Sequence, residues 1–436
     1  MRVHASGEQT EVVNSAFDLF SKIPIQNARK DQMEIELYPI TALADNGPIE
    51  FLYNGAPNLF IDLSHSTLYL ELQIRKGNDA LLAADVVGPV NNFLHSMFSS
   101  SDLYLNGTRV SDHNGCYPYR ALLEDLLFYP PSVQETQLAM QGFVKDTAGK
   151  MDELKGEAVG NVGLGQRSLV YKQSATVQLM GRPHHDLFHQ HRAILPNTPI
   201  KLVLHRAADT FALVAPAVDP MPQFKIKVLV AKLFLRANVT SDQVCIATED
   251  SLQTANCKYP INYVSMKTLT IPANVTSFSA DIYHGLLPDR LTLGLLDHRD
   301  VAGAYGRNPF NFQHFGVNFI ALNVNGEQVP RSAYKPNFEQ KQYIREYENL
   351  FDALNCKFSL STINIKYDEF GKGYALYIFN LNPDRLMSTI DGKTGNIRLD
   401  IKFTAATTDA ISLVLHAEYP TFLKIDKYRN VIHHTP

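Results

Sequence analysis

Two stretches, Leu103-Tyr-Leu-Asn-Gly-Thr-Arg-Val110 and Leu322-Asn-Val-Asn-Gly-Glu-Gln-Val329, decide the fold. Each reads apolar, polar, apolar, Asn-Gly, two polar residues, Val, and they match position for position at an offset of 219 residues. Asn-Gly is the favoured pair for a type I′ turn, because both of its positions require positive φ. Each stretch is therefore predicted to be a tight hairpin. A helical pattern follows both. After the first, Tyr119, Leu122, Leu123, Leu126 and Leu127 share one helix face. After the second, a helix is predicted over Phe338–Leu354, with Tyr343, Tyr347, Leu350, Phe351 and Leu354 on one face and Asn337 as N-cap. A second echo pairs Ile200-Lys-Leu-Val-Leu204 with Ile397-Arg-Leu-Asp-Ile401 at an offset of 197. The offsets differ because the first half carries an insertion, assigned to Lys145–Arg167, which is rich in Gly, Lys and Glu and predicted to be a surface loop. Two echoes in the same order with a matching helix indicate a duplicated β-domain.

The rest of the chain supports this. From Thr67 to Arg75, Leu68, Leu70, Leu72 and Ile74 alternate with polar residues, which marks a half-buried strand. Lys225–Val230 and Thr362–Tyr367 alternate likewise, and Asn, Asp, Gly and Pro clusters separate such runs. The expected class is all-β: two tandem eight-stranded antiparallel sandwiches, each a jelly roll, with a few short helices in loops. The expected divisions are an N-terminal arm (1–47), a first jelly roll (48–237), a linker (238–254), a second jelly roll (255–430) and a tail (431–436). A short helix capped by Ser15 is expected in the arm.

Composition removes several classes of function. The 436 residues include 40 basic and 44 acidic side chains, a formal net charge of −4. A dedicated nucleic-acid binder would show a basic excess. No window is apolar enough for a membrane-spanning helix, and the N-terminus lacks the pattern of a signal peptide, so an intracellular, non-secreted product is expected. Four scattered cysteines, at 116, 245, 257 and 356, suit free thiols.

Few motifs carry chemistry. Pro183-His-His-Asp-Leu-Phe-His-Gln-His-Arg192 places four histidines and an aspartate in ten residues. His185 and His189 have the i, i+4 spacing of two metal ligands on a helix, and His189-Gln-His191 resembles the start of a cupin metal motif. The motif then fails, with Leu195 and Pro196 where Glu is needed. The segment, including His184, is expected to be a polar loop or inter-subunit contact, and no metal or other cofactor is expected. Asp297-His-Arg-Asp300 reads as a charged turn after an apolar strand. Gly160, Gly163 and Gly165 lack the Lys-Ser/Thr ending of a phosphate loop. No nucleophile, base and orienting group assemble by signature, so no enzymatic activity is expected. In the arm, Phe17, Leu19 and Phe20 form an apolar patch suited to docking. Two other classes stay open on the residues alone: a two-sandwich carbohydrate-binding or carbohydrate-active protein, and a bicupin-type metalloenzyme.

Further strings carry a family resemblance. Phe17-Asp-Leu-Phe20, Tyr38-Pro-Ile40, Gly47-Pro-Ile-Glu-Phe51, Asn91-Asn-Phe-Leu-His-Ser-Met-Phe98, Asn308-Pro-Phe-Asn-Phe312, Asn318-Phe-Ile-Ala-Leu322, Gly373-Tyr374 and Asn382-Pro-Asp384 follow one another along nearly the whole chain. In this order they resemble the major capsid proteins of Maverick/Polinton elements and related adintovirus-like viruses. The resemblance implies a double jelly-roll subunit, a pseudo-hexameric homotrimer, and trimers tiling an icosahedral virion shell around double-stranded DNA. It also implies a separate single jelly-roll penton protein, with a minor capsid protein or an inner membrane as further partners. Phe17, Leu19 and Phe20 would then make inner-face contacts. The insertion, with Lys145, Lys150 and Lys155, would be an exposed outer or inter-subunit loop. The histidines at 184, 185, 189 and 191 are not part of the family pattern.

Overall fold

Both Asn-Gly pairs close two-residue hairpins. Asn106 and Gly107 have φ of 45° and 78°, and Asn325 and Gly326 have φ of 52° and 91°, the left-handed values that a type I′ turn demands. The computed structural model of the protein describes residues 28–111, 114–154, 160–216, 222–359, 361–382 and 394–433.

In the first half, eight strands form the sandwich, and a two-residue strand, Asp79–Ala80, is added at the Arg75–Lys76 end of one sheet. The eight are β1 (Arg29–Leu37), β2 (Ile49–Tyr53), β3 (Leu59–Lys76), β4 (Phe98–Leu105), β5 (Thr108–Arg109), β6 (Val177–Gly181), β7 (Ile200–Arg206) and β8 (Phe224–Thr240). The second half repeats them as β9 (Cys257–Ile271), β10 (Ser277–Leu286), β11 (Arg290–Asp297), β12 (Val317–Val324), β13 (Glu327–Tyr334), β14 (Leu376–Asn380), β15 (Thr394–Phe403) and β16 (Ile411–Ile425). The sheets run β1-β8-β3-β6 and β2-β7-β4-β5 in the first sandwich, then β9-β16-β11-β14 and β10-β15-β12-β13 in the second. Every ladder is antiparallel. Adding eight to each strand number of the first sandwich gives the second, so both are jelly rolls of one topology.

The duplication extends to register. Leu103 pairs with Leu202 and Leu105 with Ile200; the equivalent Leu322 and Val324 pair with Leu399 and Ile397. Tyr104 faces Arg109 as Asn323 faces Gln328. Both sequence echoes are thus adjacent strands of corresponding sheets. Alternating strands bring the long loops 110–176 and 335–375 to one end of the molecule. Lys145 there meets Glu369 at 2.5 Å, and the Tyr374 hydroxyl donates to the Asp146 carbonyl at 2.7 Å. At the other end Asn106 donates to the Arg429 carbonyl and Arg192 to that of Lys258. The sandwiches therefore stand side by side with like ends together.

Several expectations need correction. The arm boundary at 47 is misplaced, because β1 pairs with β8 along its length. This edge strand is mostly charged and exposed, so its thin apolar side, Ile35 and Leu37, gave little signal. The linker span contains a helix, Asp242–Thr254, whose only buried side chain is Leu252. The tail begins with a short strand, Val431–His433, added to β16. Thr362–Tyr367 is not a strand: Ile363 and Ile365 are buried in the apolar cluster that also holds Leu122 and Leu350, with no partner strand. Asn337 is not a helix cap. The second helix (Ile344–Ala353) starts later, and the Asn337 side chain instead accepts from the Gln340 amide. The first helix, α1 (Tyr117–Phe128), lies where expected.

The insertion is not a free surface loop. It docks on the second sandwich through Lys145 and Glu369, and through the Asp152 carboxylate, which accepts from the Asn308 amide at 2.7 Å. It then forms helix α2 (Val162–Val170), whose Arg167 pairs with Asp146 in the interior at 2.6 Å. Gly163 is packed so closely that a Cβ would collide with the Lys145 carbonyl. Lys145 and Lys150 are half-buried rather than exposed, and Lys155 lies outside the described residues, as do Phe17, Leu19, Phe20 and Ser15.

Gly326→Ala and Gly163→Ala should separate two kinds of glycine requirement. Gly326 has open space around its Cβ position, so only left-handed strain applies, about 1 kcal/mol. At Gly163 the collision adds to the cost, to roughly 3 kcal/mol. Denaturant unfolding of the two variants measures the difference, and equal losses would contradict the packing described.

Candidate functional site: the buried junction between the sandwiches

Helix α1 lies between the sandwiches and is buried over eleven of its twelve residues. Leu122, Leu123 and Leu126 join Val264, Met266, Leu296, Ile378 and Val414 of the second sandwich in one apolar cluster. Burial of this apolar surface supplies the drive for the two units to associate. Within the cluster the helix also buries three charges, Arg120, Glu124 and Asp125, each under 5% exposed. A buried charge must be paired and hydrogen-bonded, and the histidine-rich segment supplies the partners.

His184 sits between the two carboxylates. Its Nδ1 is 2.6 Å from Glu124 Oε2 and its Nε2 is 3.2 Å from Asp125 Oδ2. Both ring nitrogens therefore donate, and the ring is an imidazolium. Burial pushes its pKa down, but Asp125 and Glu124 outweigh that and hold it up at about 9. Asp125 Oδ2 also accepts from Asn92 Nδ2 and Gln141 Nε2, each at 2.6 Å. Burial would raise the Glu124 carboxyl, yet Arg120 and the surrounding histidines keep it well below the usual range.

Arg120 extends the network to the second sandwich. Its Nε donates to Glu124 Oε1 at 2.9 Å and its Nη2 to Asp186 Oδ1 at 2.6 Å. Asp186 Oδ1 also accepts from the backbone amide of Val264 on β9, at 3.3 Å. Burial lifts the Asp186 carboxyl to about 6 against the pull of Arg120. On the facing sheet Arg290 forks onto Glu418, with contacts of 2.6 and 2.5 Å, and lies 4.8 Å from the ring centre of Phe128 on α1. His416 stands between the pairs, 3.9 Å from Glu124 and 3.8 Å from Glu418.

The hydrogen-bond directions test whether the cluster suits a metal. Two triads have ligand atoms close enough: His95, Asp125 and His184, and Glu124, His184 and His189. Gln141 gives its amide hydrogens to Asn92 and Asp125, so its oxygen faces His95 Nε2, at 3.3 Å. His95 Nε2 therefore carries the proton and Nδ1 accepts from the Tyr117 hydroxyl at 3.0 Å. His189 Nδ1 faces the donor-only guanidinium of Arg182 at 3.1 Å, so its Nε2 carries the proton toward Glu124, 3.4 Å away. With His184 doubly protonated, this arrangement presents no free imidazole lone pair to an ion. The Arg120 and His184 cations already occupy the electrostatic role a metal would take.

From His184 to Phe188 the histidine segment is thus an internal clasp rather than a surface loop, and His189 is partly exposed. His184 and His185 are buried, His185 accepting from Ser101, while His191 points outward. Its functional partners, His95, Glu124 and Asp125, come from distant sequence. The one signal for Glu124 and Asp125 was a group of three charges, with Arg120, within an otherwise apolar helix. Asp297 and Asp300 form a separate ion cluster on Arg307, at 3.1 and 2.6 Å. Hydrogen bonding to Arg299 lowers Asp297 to about 2, and burial raises Asp300 to about 6. Among the described residues, a cleft of about 630 Å³ beside Arg206, Lys225 and Tyr305 is lined by one carboxylate, Asp209, rather than the clustered carboxylates of a sugar site.

The His184 clasp has a signed pH dependence. A folded-state pKa raised to about 9 gives stability fully present below the unfolded value near 6.5 and lost as pH rises through 9. His184→Gln should therefore cost roughly 3 kcal/mol at pH 6.5, shrinking as pH is raised past 9. Denaturant titrations at the two pH values check this, and a cost independent of pH would contradict it.

Comparison with known proteins places this architecture. No family model matches the chain. A curated relative, an uncharacterised protein of Caenorhabditis elegans, is 23% identical over 429 residues, 94% of this chain and 97% of that one. Among solved structures, the Sputnik virophage structure matches with a TM-score of 0.63 at 13% identity, over 98% of this chain and 92% of that chain. The Faustovirus major capsid protein matches at 0.58 and 9% identity, over 96% and 93%. The mavirus major capsid protein matches at 0.54 and 10% identity, over 99% and 96%. The likeness spans both sandwiches and the junction between them, so the chain has the double jelly-roll fold of these structures.

Proposed function

We propose that the chain is a major capsid protein: a structural subunit, without catalytic activity, that forms a pseudo-hexameric homotrimer and tiles an icosahedral shell around double-stranded DNA. The observation that carries this reading is the junction. Two sandwiches of identical topology are fixed side by side with like ends together, and both ends and the interface between them are tied by side-chain contacts. A tile needs this rigidity. Three such subunits around a threefold axis present six similar sandwiches, so one chain can fill a near-hexagonal position. Full-length likeness to capsid proteins of mavirus and Faustovirus supports the same reading.

The finer assignment is to the Maverick/Polinton, adintovirus-like group. The sequence strings support it, as does a relative in an animal that spans nearly the whole chain. On this reading the product resides in the virion shell after synthesis inside the host cell. Its partners are neighbouring trimers, a single jelly-roll penton protein at the vertices, and a minor capsid protein or inner membrane beneath. Sequence-specific nucleic-acid binding is not part of the role, in keeping with the near-neutral charge. Strand β1 starts at the end of the first sandwich that carries the Asn106 turn, and the segment with Phe17, Leu19 and Phe20 precedes it in the sequence. We assign that segment to inner-face contacts.

Light scattering on the purified full chain should give about three times the 48.9 kDa chain mass. A monomer at every concentration, salt and pH tested would contradict the trimer. Deleting residues 1–25 should leave the trimer intact and reduce particle yield or stability; unchanged particles would remove the arm from the account.

A further inference from the structure

The clasp contains more histidine than pairing requires. Three imidazoles stand in a row: the His95 and His184 rings meet edge to face, 4.6 Å apart centre to centre, and the His184 and His189 rings are tilted, 5.6 Å apart. Only the middle one has a carboxylate on each nitrogen. His95 is fully buried, with Gln141 on one nitrogen and Tyr117 on the other. His189 has Glu124 on one side and the Arg182 cation on the other. We propose that this row of rings is an acid-labile clasp: neutral His95 and His189 flank the His184 imidazolium, and protonating either drives the 183–189 segment out of the junction and loosens the two sandwiches from each other.

The geometry gives the reason. A proton on His189 Nδ1 would point at the Arg182 guanidinium, which has only donors to offer. A proton on His95 Nδ1 would force the Tyr117 hydroxyl to turn from donor to acceptor and to take a second bond beside the one it accepts from the His184 amide at 3.3 Å. A charge on His95, which is fully buried, would also lie against the existing imidazolium in a water-poor site, while His189 is partly exposed. Once the segment leaves, Asp186 goes with it, and Asp186 is the residue that ties Arg120 to the Val264 amide. Burial and, after it, the His184 charge lower His95; burial also lowers His189, where Glu124 opposes it. Groups with folded pKa values depressed in this sense hold their stability above about 6.5 and lose it as pH falls below. Asp186, lifted to about 6, has the opposite sign. Glu124, Asp125, His416, Glu418 and Arg290 complete the charged and titratable surroundings, and are common to the variants below. The device belongs to the chain itself and does not depend on the shell reading.

The test compares the full-length protein with H95Q/H189Q, in which each glutamine can supply both a donor and an acceptor but takes no proton. Between pH 7.5 and 5.0, hydrogen exchange at 183–189, corrected for intrinsic rates, should lose at least about tenfold protection in the natural protein, the equivalent of one pK unit. The double variant should keep its protection over the same range. Equal losses in the two proteins, or protection kept at pH 5.0 in the natural one, would overturn the proposal. R182M gives an independent reading should the double variant fail to fold. Without the guanidinium His189 can hold its proton in place, so the acid loss should shrink, and an undiminished loss would overturn the His189 step.

Discussion

Five charged side chains, Arg120, Glu124, Asp125, His184 and Asp186, are buried where the two sandwiches meet, and the rest of the architecture is arranged to make that tolerable. Removing a charge from water costs several kcal/mol, and an incomplete pair leaves that cost uncompensated. Here each carboxylate receives at least one charged donor, and Asp125 receives two further neutral donors. Such a network adds little net stability over an apolar replacement. It selects one relative placement of the two sandwiches, because Asp186 reaches both Arg120 and the Val264 amide only at one register. The leucines of α1 supply the attraction, and the ions supply the geometry.

The duplication was legible because its signals are local. Asn-Gly fixes a turn within two residues, and β3, wetted on one face, alternates cleanly. Register equivalence between Leu103 with Leu202 and Leu322 with Leu399 follows from those signals alone. What was not legible depends on distant partners. β16 is buried on both faces over its first nine residues, so no alternation marks it. Ile363 and Ile365 alternate because a loop happens to turn two side chains inward, not because a ladder holds them. The insertion resembles a surface loop in composition, yet its charges are internal: Lys145 serves Glu369, and Arg167 serves Asp146.

The histidine segment shows the same limit at the candidate site. Its density in one decapeptide is visible in the sequence; its environment is not, since His95, Glu124 and Asp125 arrive from a different loop and helix. Composition suggested a polar exterior. Packing made His184 and His185 interior and left His189 and His191 toward solvent, and the hydrogen-bond directions leave His184 charged and His95 and His189 neutral. The two copies of the jelly roll are therefore equivalent in topology and unequal in function. The first sends α1 and the histidine segment across, and the second offers a sheet whose outer face receives them.

Electron micrographs of the purified full chain, sorted into class averages, test the central claim most directly. Two sandwiches locked as one body and assembled as a capsid subunit predict threefold particles with six evenly spaced densities, or closed shells built from them. Isolated two-lobed particles whose lobes take variable relative positions would contradict both the rigid junction and the capsid reading.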